Sequence, residues 1–183
     1  MTIETPRLTL RAWQDSDAPA LVEGLNNLAV TQWLAAVPHP YTLEDARGFL
    51  RFAWRQAEEE PRTGYQFAIV LKEAGEVIGG VTLCDVNRKN GTASGGIWIN
   101  ARYHGLGYGV EAYDARIRFA FETLGLRRME NGFFAGNEAS RRMQERLGYV
   151  VEGMRRQGFR CSADGLLKDE YTTGLLREEW KPL

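Results

Sequence analysis

Alternating polar and apolar residues mark the first predicted strand, which covers residues 7–11. An alternation with a period of two is typical of a strand with one buried face. Two longer apolar runs, at residues 65–71 and 77–83, flank a short polar segment and predict a β-hairpin. Asn90 and the glycine after it mark a further turn before a strand-like run at residues 93–99. The pattern therefore predicts three successive strands that form an antiparallel meander.

Apolar residues recur at helical spacing in four other segments of the chain. Asp15 and Ser16 are candidate N-caps for the first helix, and Pro19 suits its first turn. Thr42 and Asp45 resemble a capping box at the start of the second helix. The third and fourth helices are each followed by a glycine, a residue that is common at helix ends. The four predicted helices begin near residues 17, 43, 108 and 137.

The order of these elements indicates the fold class. Another strand is predicted at residues 128–134, and the last third of the chain contains two or three more. The order β-α-α-β-β-β-α-β-α-β-β indicates an α/β fold of the α+β kind, with helices on both faces of one mixed sheet. We expect this sheet to have six to seven strands, mostly antiparallel. No linker or internal repeat divides the chain, so residues 1–183 are predicted to form a single domain.

The composition excludes several classes of function. The formal net charge is only −1, so no global basic field would attract nucleic acid. No apolar run approaches membrane-spanning length and no signal-peptide pattern opens the chain, so we expect a cytoplasmic protein without a membrane partner. Cys84, Cys161, His39 and His104 do not stand in a zinc-binding spacing, so we expect no metal.

Three alternate glycines form the most informative motif of the chain. Gly105, Gly107 and Gly109 follow the strand at residues 93–99 and lead directly into the third helix. Glycine lets a ligand approach the backbone closely, and the first turn of a helix presents unpaired N–H groups. The motif therefore suits a phosphate or pyrophosphate, although glycines in such a turn also serve tight packing alone. A dinucleotide-binding oxidoreductase is disfavoured, because its fingerprint is G-x-G-x-x-G and its sheet is built from parallel βαβ units.

Three motifs together resemble the GNAT superfamily of acyl-CoA-dependent N-acetyltransferases, and in particular its RimJ/RimL branch of ribosomal-protein N-terminal acetyltransferases. The signature Q/R-x-x-G-x-G/A of that family falls on His104, Gly107 and Gly109, with His104 in place of the usual Gln or Arg. The N-x-x-S of a second signature falls on Asn137 and Ser140, and the L-G-[FY] and E-G of the same signature follow it. The opening E-T-P-R-L-T-L-R also resembles the first strand of the RimJ/RimL branch. The resemblance covers nearly the whole chain in the correct order.

The resemblance implies that acetyl-CoA is the co-substrate and that a primary amine attacks it directly in a ternary complex. The backbone amides of the glycine turn would hold the pyrophosphate. The pantetheine arm would pair with the strand at residues 95–99, where the fourth and fifth predicted strands splay apart. The acetyl-CoA-binding residues implied in this way are Ile97, Trp98, Ile99, Arg102, His104, Gly105, Leu106, Gly107, Tyr108, Gly109, Val110, Asn137 and Ser140.

The same resemblance suggests which residues carry the chemistry. Ser140 is the candidate that protonates the departing thiolate or donates a hydrogen bond to it, and its alternative role is to cap the helix. Many relatives carry a Glu early in the fourth strand, where this chain has Ser94. Because serine is not a base at neutral pH, Asp85 becomes the candidate general base. Its alternative role is to cap the turn that follows it.

The acceptor site is predicted beside a loop that prolines interrupt. Trp33 and Tyr41 flank this loop and are the candidate substrate-binding residues. The residues do not separate a peptide or protein N-terminus from a small-molecule amine as the acceptor. Ser94 also leaves a second interpretation open, namely a non-catalytic acyl-CoA-binding or regulatory GNAT module. The resemblance is compatible with a monomer or a homodimer.

Overall fold

A nine-stranded mixed sheet runs through the computed structural model, which describes all 183 residues. Its strands are β1 (Thr2–Glu4), β2 (Leu8–Ala12), β3 (Tyr65–Leu71), β4 (Glu76–Asn87), β5 (Thr92–Ser94), β6 (Ile97–Ile99), β7 (Arg128–Phe134), β8 (Val150–Arg160) and β9 (Leu167–Leu176). The order across the sheet is β1-β2-β3-β4-β5-β7-β9-β8, and β6 pairs with β4. Every pairing is antiparallel except that between β5 and β7. The mostly antiparallel mixed sheet is confirmed, whereas the predicted count of six to seven strands is too low.

Two features account for the higher strand count. A short strand at Thr2–Glu4 precedes the first predicted strand and pairs with it. The run at residues 93–99, predicted as one strand, is split into β5 and β6 by Gly95 and Gly96. Gly95 has a φ of 151°, and a Cβ there would collide with the carbonyl oxygen of Thr82. The strand therefore breaks because only glycine fits at this point.

Five α-helices cover the two faces of the sheet. They are α1 (Ala18–Leu25), α2 (Leu28–Thr31), α3 (Leu43–Ala57), α4 (Tyr108–Arg118) and α5 (Glu138–Leu147). Helices α1 and α3 pack on β4 and β3 over a core cluster of 10 buried residues. Helix α4 packs on β2, β4 and β6 over a larger cluster of 23 residues, and α5 lies beside it. The prediction of helices on both faces is confirmed, and none of the helices has the length and apolarity needed to cross a bilayer.

Capping chemistry sets two of the helix starts. The Thr42–Asp45 capping box is present: Thr42 Oγ1 accepts from the Asp45 amide at 3.2 Å, and Asp45 Oδ2 accepts from the Thr42 amide at 2.8 Å. The prediction that Asp15 or Ser16 caps α1 is wrong, because both lie in a 3₁₀ turn and Asp17 precedes the helix. The Asp17 carboxylate accepts from the amide three residues earlier, at 2.8 Å, and so fixes that turn instead.

A fully buried arginine joins α4 to the break in the sheet. The Arg116 guanidinium donates to the Thr82 carbonyl at 3.0 Å and to the Tyr149 hydroxyl at 3.1 Å. It also lies 3.9 Å from the centre of the Tyr113 ring. No carboxylate is paired with it. Burial raises the pKa of Tyr149, so this hydroxyl stays neutral beside the cation.

The strand break leads to a stability prediction for its two glycines. Gly95→Ala should lower the free energy of unfolding by at least about 2 kcal/mol, because the new Cβ meets the Thr82 carbonyl and the backbone keeps an unfavourable φ. Gly96→Ala is the matched control, since no atom lies within 4 Å of a Cβ there. It should change the unfolding free energy by no more than about 0.5 kcal/mol. Urea denaturation measures both values, and equal stabilities of the two variants would contradict the prediction.

Candidate active site

A cleft of about 700 Å³ opens where β6 separates from β7. Strand β5 still pairs with β7, through Thr92 opposite Arg128, but β6 pairs only with β4. The opposite wall of the cleft is formed by the end of β7 and by α5, including Phe134 and Ser140. The predicted splay between the fourth and fifth predicted strands is therefore present, and Gly95 and Gly96 lie at its closed end.

The free edge of β6 faces this cleft. Gly96 and Asn100 form hydrogen bonds with β4, at 2.9 and 2.8 Å. Because hydrogen-bonding direction alternates along a strand, the backbone groups of Ile97 and Ile99 point away from β4 and into the cleft. His104 Nε2 lies 2.7 Å from the Ile99 carbonyl oxygen, so this nitrogen carries the proton. The peptide N–H groups of Ile97 and Ile99 are left without a strand partner.

Six consecutive backbone amides are unpaired at one end of the cleft. The amides of residues 105–110 donate to no backbone carbonyl and to no side chain. Gly105 and Gly107 reach this conformation with φ values of 76° and 82°, which other residues rarely adopt. Gly107 directly precedes α4, so the amides converge at the positive end of its dipole. This arrangement fits a phosphate or pyrophosphate group.

Arg7 places a guanidinium, paired with a carboxylate, beside the glycine turn, and no sequence motif indicated it as a site residue. Its guanidinium donates to the Leu106 carbonyl at 2.9 Å, lies 4.4 Å from the Tyr108 ring centre and pairs with Glu111 at 2.7 Å. Partial burial disfavours the charged form of Glu111, but hydrogen bonds from Thr5 and Arg7 outweigh that effect and lower its pKa. The ion pair therefore ties the start of β2 to the turn.

Two predicted site residues are engaged elsewhere. Arg102 pairs with Glu23 at 2.7 Å and lines a separate polar cavity of about 500 Å³ instead of the large cleft. Tyr41 is buried in the core cluster under α1 and α3, and burial raises its pKa to about 12. Trp33, by contrast, lies in the cleft wall. The other predicted residues line the cleft, except Asp85, which lies just outside it, and Leu106 and Tyr108, which contact Arg7 in the glycine turn.

Ser140 lies in the cleft wall with its hydroxyl oriented by a residue that the sequence analysis missed. Asn137 Oδ1 accepts from the Ser140 amide at 3.1 Å. Asn137 therefore caps α5, and the Ser140 side chain is not needed as the cap. The buried Gln144 donates to Ser140 Oγ at 3.1 Å and to the Gly132 carbonyl at 3.2 Å. It accepts from Thr173 at 2.6 Å. With Gln144 as its donor, the Ser140 hydroxyl keeps its own proton to donate into the cleft.

Asp85 and Ser94 form a hydrogen-bonded pair just outside the cleft lining. Asp85 Oδ2 accepts from Ser94 Oγ at 2.6 Å. Asp85 adopts a φ of 52° at an interruption of the β4–β5 ladder, and its side chain is exposed. In the segment that contains β5 and β6, Gly95 is the first residue that lines the cleft, and Ser94 directly precedes it. Asp85 is therefore connected to the cleft through Ser94 and is not part of its wall.

One carboxylate does line the cleft, and no sequence motif indicated it. Glu170 on β9 is largely buried, with 14% of its side chain exposed, and pairs with Arg155 on β8. The register places it opposite Phe134 of β7. No group of three or more His, Cys, Asp or Glu side chains is placed to hold a metal ion.

Known proteins resemble this chain over almost its full length. YdaF of Bacillus subtilis (strain 168), provisionally named a ribosomal N-acetyltransferase, is 28% identical over 176 residues, which cover 95% of this chain and 93% of YdaF. A Vibrio cholerae structure, provisionally named a ribosomal-protein-serine acetyltransferase, has a TM-score of 0.82 and 26% identity, covering 96% of this chain and 97% of that one. RimJ of Mycobacterium smegmatis, solved with CoA-disulfide, shares the fold with a TM-score of 0.83 at 20% identity, over 98% of this chain and 87% of RimJ.

The match to a protein family is equally broad. Residues 7–150 match the family described as the acetyltransferase (GNAT) domain, which is more than half of the chain. The glycine turn, the open edge of β6 and the start of α5 all lie inside that span. The chain therefore belongs to the GNAT acetyltransferase family.

Proposed function

We propose that this protein is an acetyl-CoA-dependent N-acetyltransferase that acetylates a primary amine by direct attack in a ternary complex. The observation that carries the proposal is the row of six unpaired amides at one end of a cleft whose side is the free edge of β6. Acetyl-CoA supplies the activated acetyl group, as a thioester. In this proposal residues 1–183 act as one domain, and the enzyme works in the cytoplasm, where acetyl-CoA is available.

The residues of the cleft fit the parts of that co-substrate. The amides of residues 105–110 would bind the pyrophosphate, and the Arg7–Glu111 ion pair would hold the turn in place. The backbone groups of Ile97 and the N–H of Ile99, which have no partner on β4, would bind the peptide-like pantetheine arm. His104 would act on the strand by fixing the Ile99 carbonyl, because its Nε2 is engaged there. Asn137 would hold the start of α5 against the same arm.

Two groups in the cleft are suited to the developing charges of acetyl transfer. A backbone N–H of Ile97 or Ile99 would polarise the carbonyl oxygen, as a donor that the strand already holds in place. The Ser140 hydroxyl, oriented by Gln144, would donate a hydrogen bond to the departing thiolate and so stabilise its developing negative charge. Asp85 would accept the proton of the ammonium, with Ser94 as the connecting hydroxyl.

The acceptor is the less defined partner. The relatives named after ribosomal substrates favour a protein N-terminus, whereas the cleft itself only requires a primary amine beside apolar walls such as that of Trp33. A panel of peptides that begin with Ala or Ser, together with small amines, would separate these classes. A second candidate function, an acyl-CoA-binding module without turnover, is favoured by one observation, namely that Asp85 and Ser94 lie outside the cleft lining.

The first prediction from the proposed function concerns CoA binding at the glycine turn. CoA at about 100 times its Kd should raise the melting temperature of the wild-type protein by about 5–10 °C. Gly107→Val and Gly109→Val should remove that rise, because a branched side chain fills the space over the unpaired amides. Gly125→Val also strains a positive-φ glycine, but one at the far end of the helix, and should keep the rise. A wild-type protein that CoA does not stabilise would refute the proposed function.

The second prediction concerns Ser140. Ser140→Ala should lower kcat by roughly 10–100-fold, because the hydroxyl no longer donates at the sulfur position. The dissociation constant for CoA should stay within about threefold, since phosphate binding rests on backbone amides. Steady-state kinetics and calorimetric CoA titration measure the two quantities. An unchanged kcat would remove Ser140 from the mechanism.

The third prediction concerns Asp85. Asp85→Asn should depress acetylation by about tenfold or more and flatten the dependence of kcat/KM on pH, because the amide cannot accept the acceptor's proton. Ser94→Ala should reproduce part of the loss if the two side chains act as a pair. A pH–rate profile of each variant checks this. Wild-type kinetics in Asp85→Asn would assign the proton transfer to another group.

A further inference from the structure

Glu170 is the only carboxylate among the residues that line the cleft. It projects from β9 beside Phe134, on the wall that faces the open edge of β6. Its side chain is only 14% exposed, so water screens its charge incompletely. Its one ion-pair partner is Arg155, and the proposed reaction so far gives this carboxylate no role.

The two oxygens of this carboxylate have different surroundings. Arg155 Nε donates to Glu170 Oε2 at 2.8 Å, and a terminal nitrogen of the same guanidinium contacts the same oxygen. The Arg155 guanidinium also lies 5.1 Å from the centre of the Phe159 ring, which restrains it. No group in the protein donates to Oε1. Arg155 therefore fixes the carboxylate through one oxygen and leaves the other free to accept.

Gly132 determines where the free oxygen lies. A Cβ on Gly132 would stand 2.6 Å from Glu170 Oε1, so the carboxylate occupies the space that a side chain on β7 would take. Gly132 has no positive φ, and its contribution is therefore this space rather than backbone freedom. Gly132 itself lines the cleft, which places Oε1 at the cleft wall.

Neighbouring carboxylates do not offer the same feature. Asp85 accepts from Ser94 and is exposed outside the cleft lining. Glu130, two residues before Gly132 on β7, pairs with Arg128 and also lies outside the lining. A cation that enters the cleft therefore meets one available carboxylate oxygen.

We propose that Glu170 Oε1 binds the ammonium group of the acceptor and that Arg155 is the positioning residue that holds it there. This inference rests on the proposed acetyltransferase function and names its substrate class, a primary amine that arrives protonated. An ammonium–carboxylate hydrogen bond in a partly desolvated wall is among the stronger polar contacts available to a protein. Glu170 thus supplies the negative charge that recognises the acceptor's ammonium group, which Ser94 cannot supply.

The test compares a protonated amine with a neutral one of similar size. With saturating acetyl-CoA, the probes are benzylamine, which is protonated at neutral pH, and aniline, which is not. Glu170→Gln keeps the shape and removes the charge, so it should raise KM for benzylamine about tenfold or more and leave KM for aniline within about twofold. Arg155→Gln should raise KM for benzylamine by a smaller factor, because the carboxylate keeps its charge and loses its anchor. Glu130→Gln, the matched control, should change neither value.

The outcomes separate this inference from the proposed function. CoA-dependent thermal stabilisation should be the same in Glu170→Gln and wild type, which shows that the variant folds and still binds its co-substrate. Equal effects of Glu170→Gln on the two probes would overturn the inference, because a structural role does not distinguish charged from neutral amines. Failure of the CoA-bound wild-type protein to acetylate or bind benzylamine would overturn it as well. Loss of CoA binding in the wild type would refute the proposed function instead.

Discussion

The interruption of a strand at Gly95 and Gly96 is the constraint on which the rest of the site depends. Strand β4 is long enough to pair with both halves, with Cys84 opposite Ser94 on one side of the break and Val81 opposite Ile97 on the other. The sheet can therefore open without losing the β4 ladder. Because the Thr82 carbonyl occupies the space that a side chain at Gly95 would need, close packing fixes the position of the break. The cleft, its free strand edge and its closed end all follow from this geometry.

A buried cation supports the closed end of that cleft. Arg116 donates to the same Thr82 carbonyl that excludes a side chain at Gly95. This one carbonyl oxygen therefore connects α4 to the strand break. The other contacts of Arg116 are the Tyr149 hydroxyl and the Tyr113 ring, and neither carries a negative charge. A buried charge without a counterion lowers stability unless other contacts offset its lost hydration. The Tyr113 ring lines the cleft and lies between the cleft and the Arg116 guanidinium.

The sequence predicted the elements whose signals are local and missed the contacts between distant segments. Helix α5 has the expected limits because Asn137 caps its start and Gly148 adopts a left-handed conformation at its end. The hairpin of β3 and β4 follows from two apolar runs around a polar turn. Arg7, in contrast, contacts a turn about 100 residues away, and no local pattern reveals such a contact. Tyr41 was misjudged for the same reason, since its burial depends on how α1 and α3 meet.

The same distinction separates the two sides of the cleft. The proposed co-substrate side uses backbone amides in consecutive residues, so a glycine pattern is enough to predict it. The proposed acceptor side is assembled from β7, β8 and β9, where Gly132 makes room for Glu170 and Arg155 holds it. A serine at position 94 therefore does not leave the cleft without a negative charge, because a different strand supplies one. Since that carboxylate belongs to no linear motif, family signatures alone would classify the acceptor side as incomplete, whereas the register of β7 against β9 places a charge at its wall.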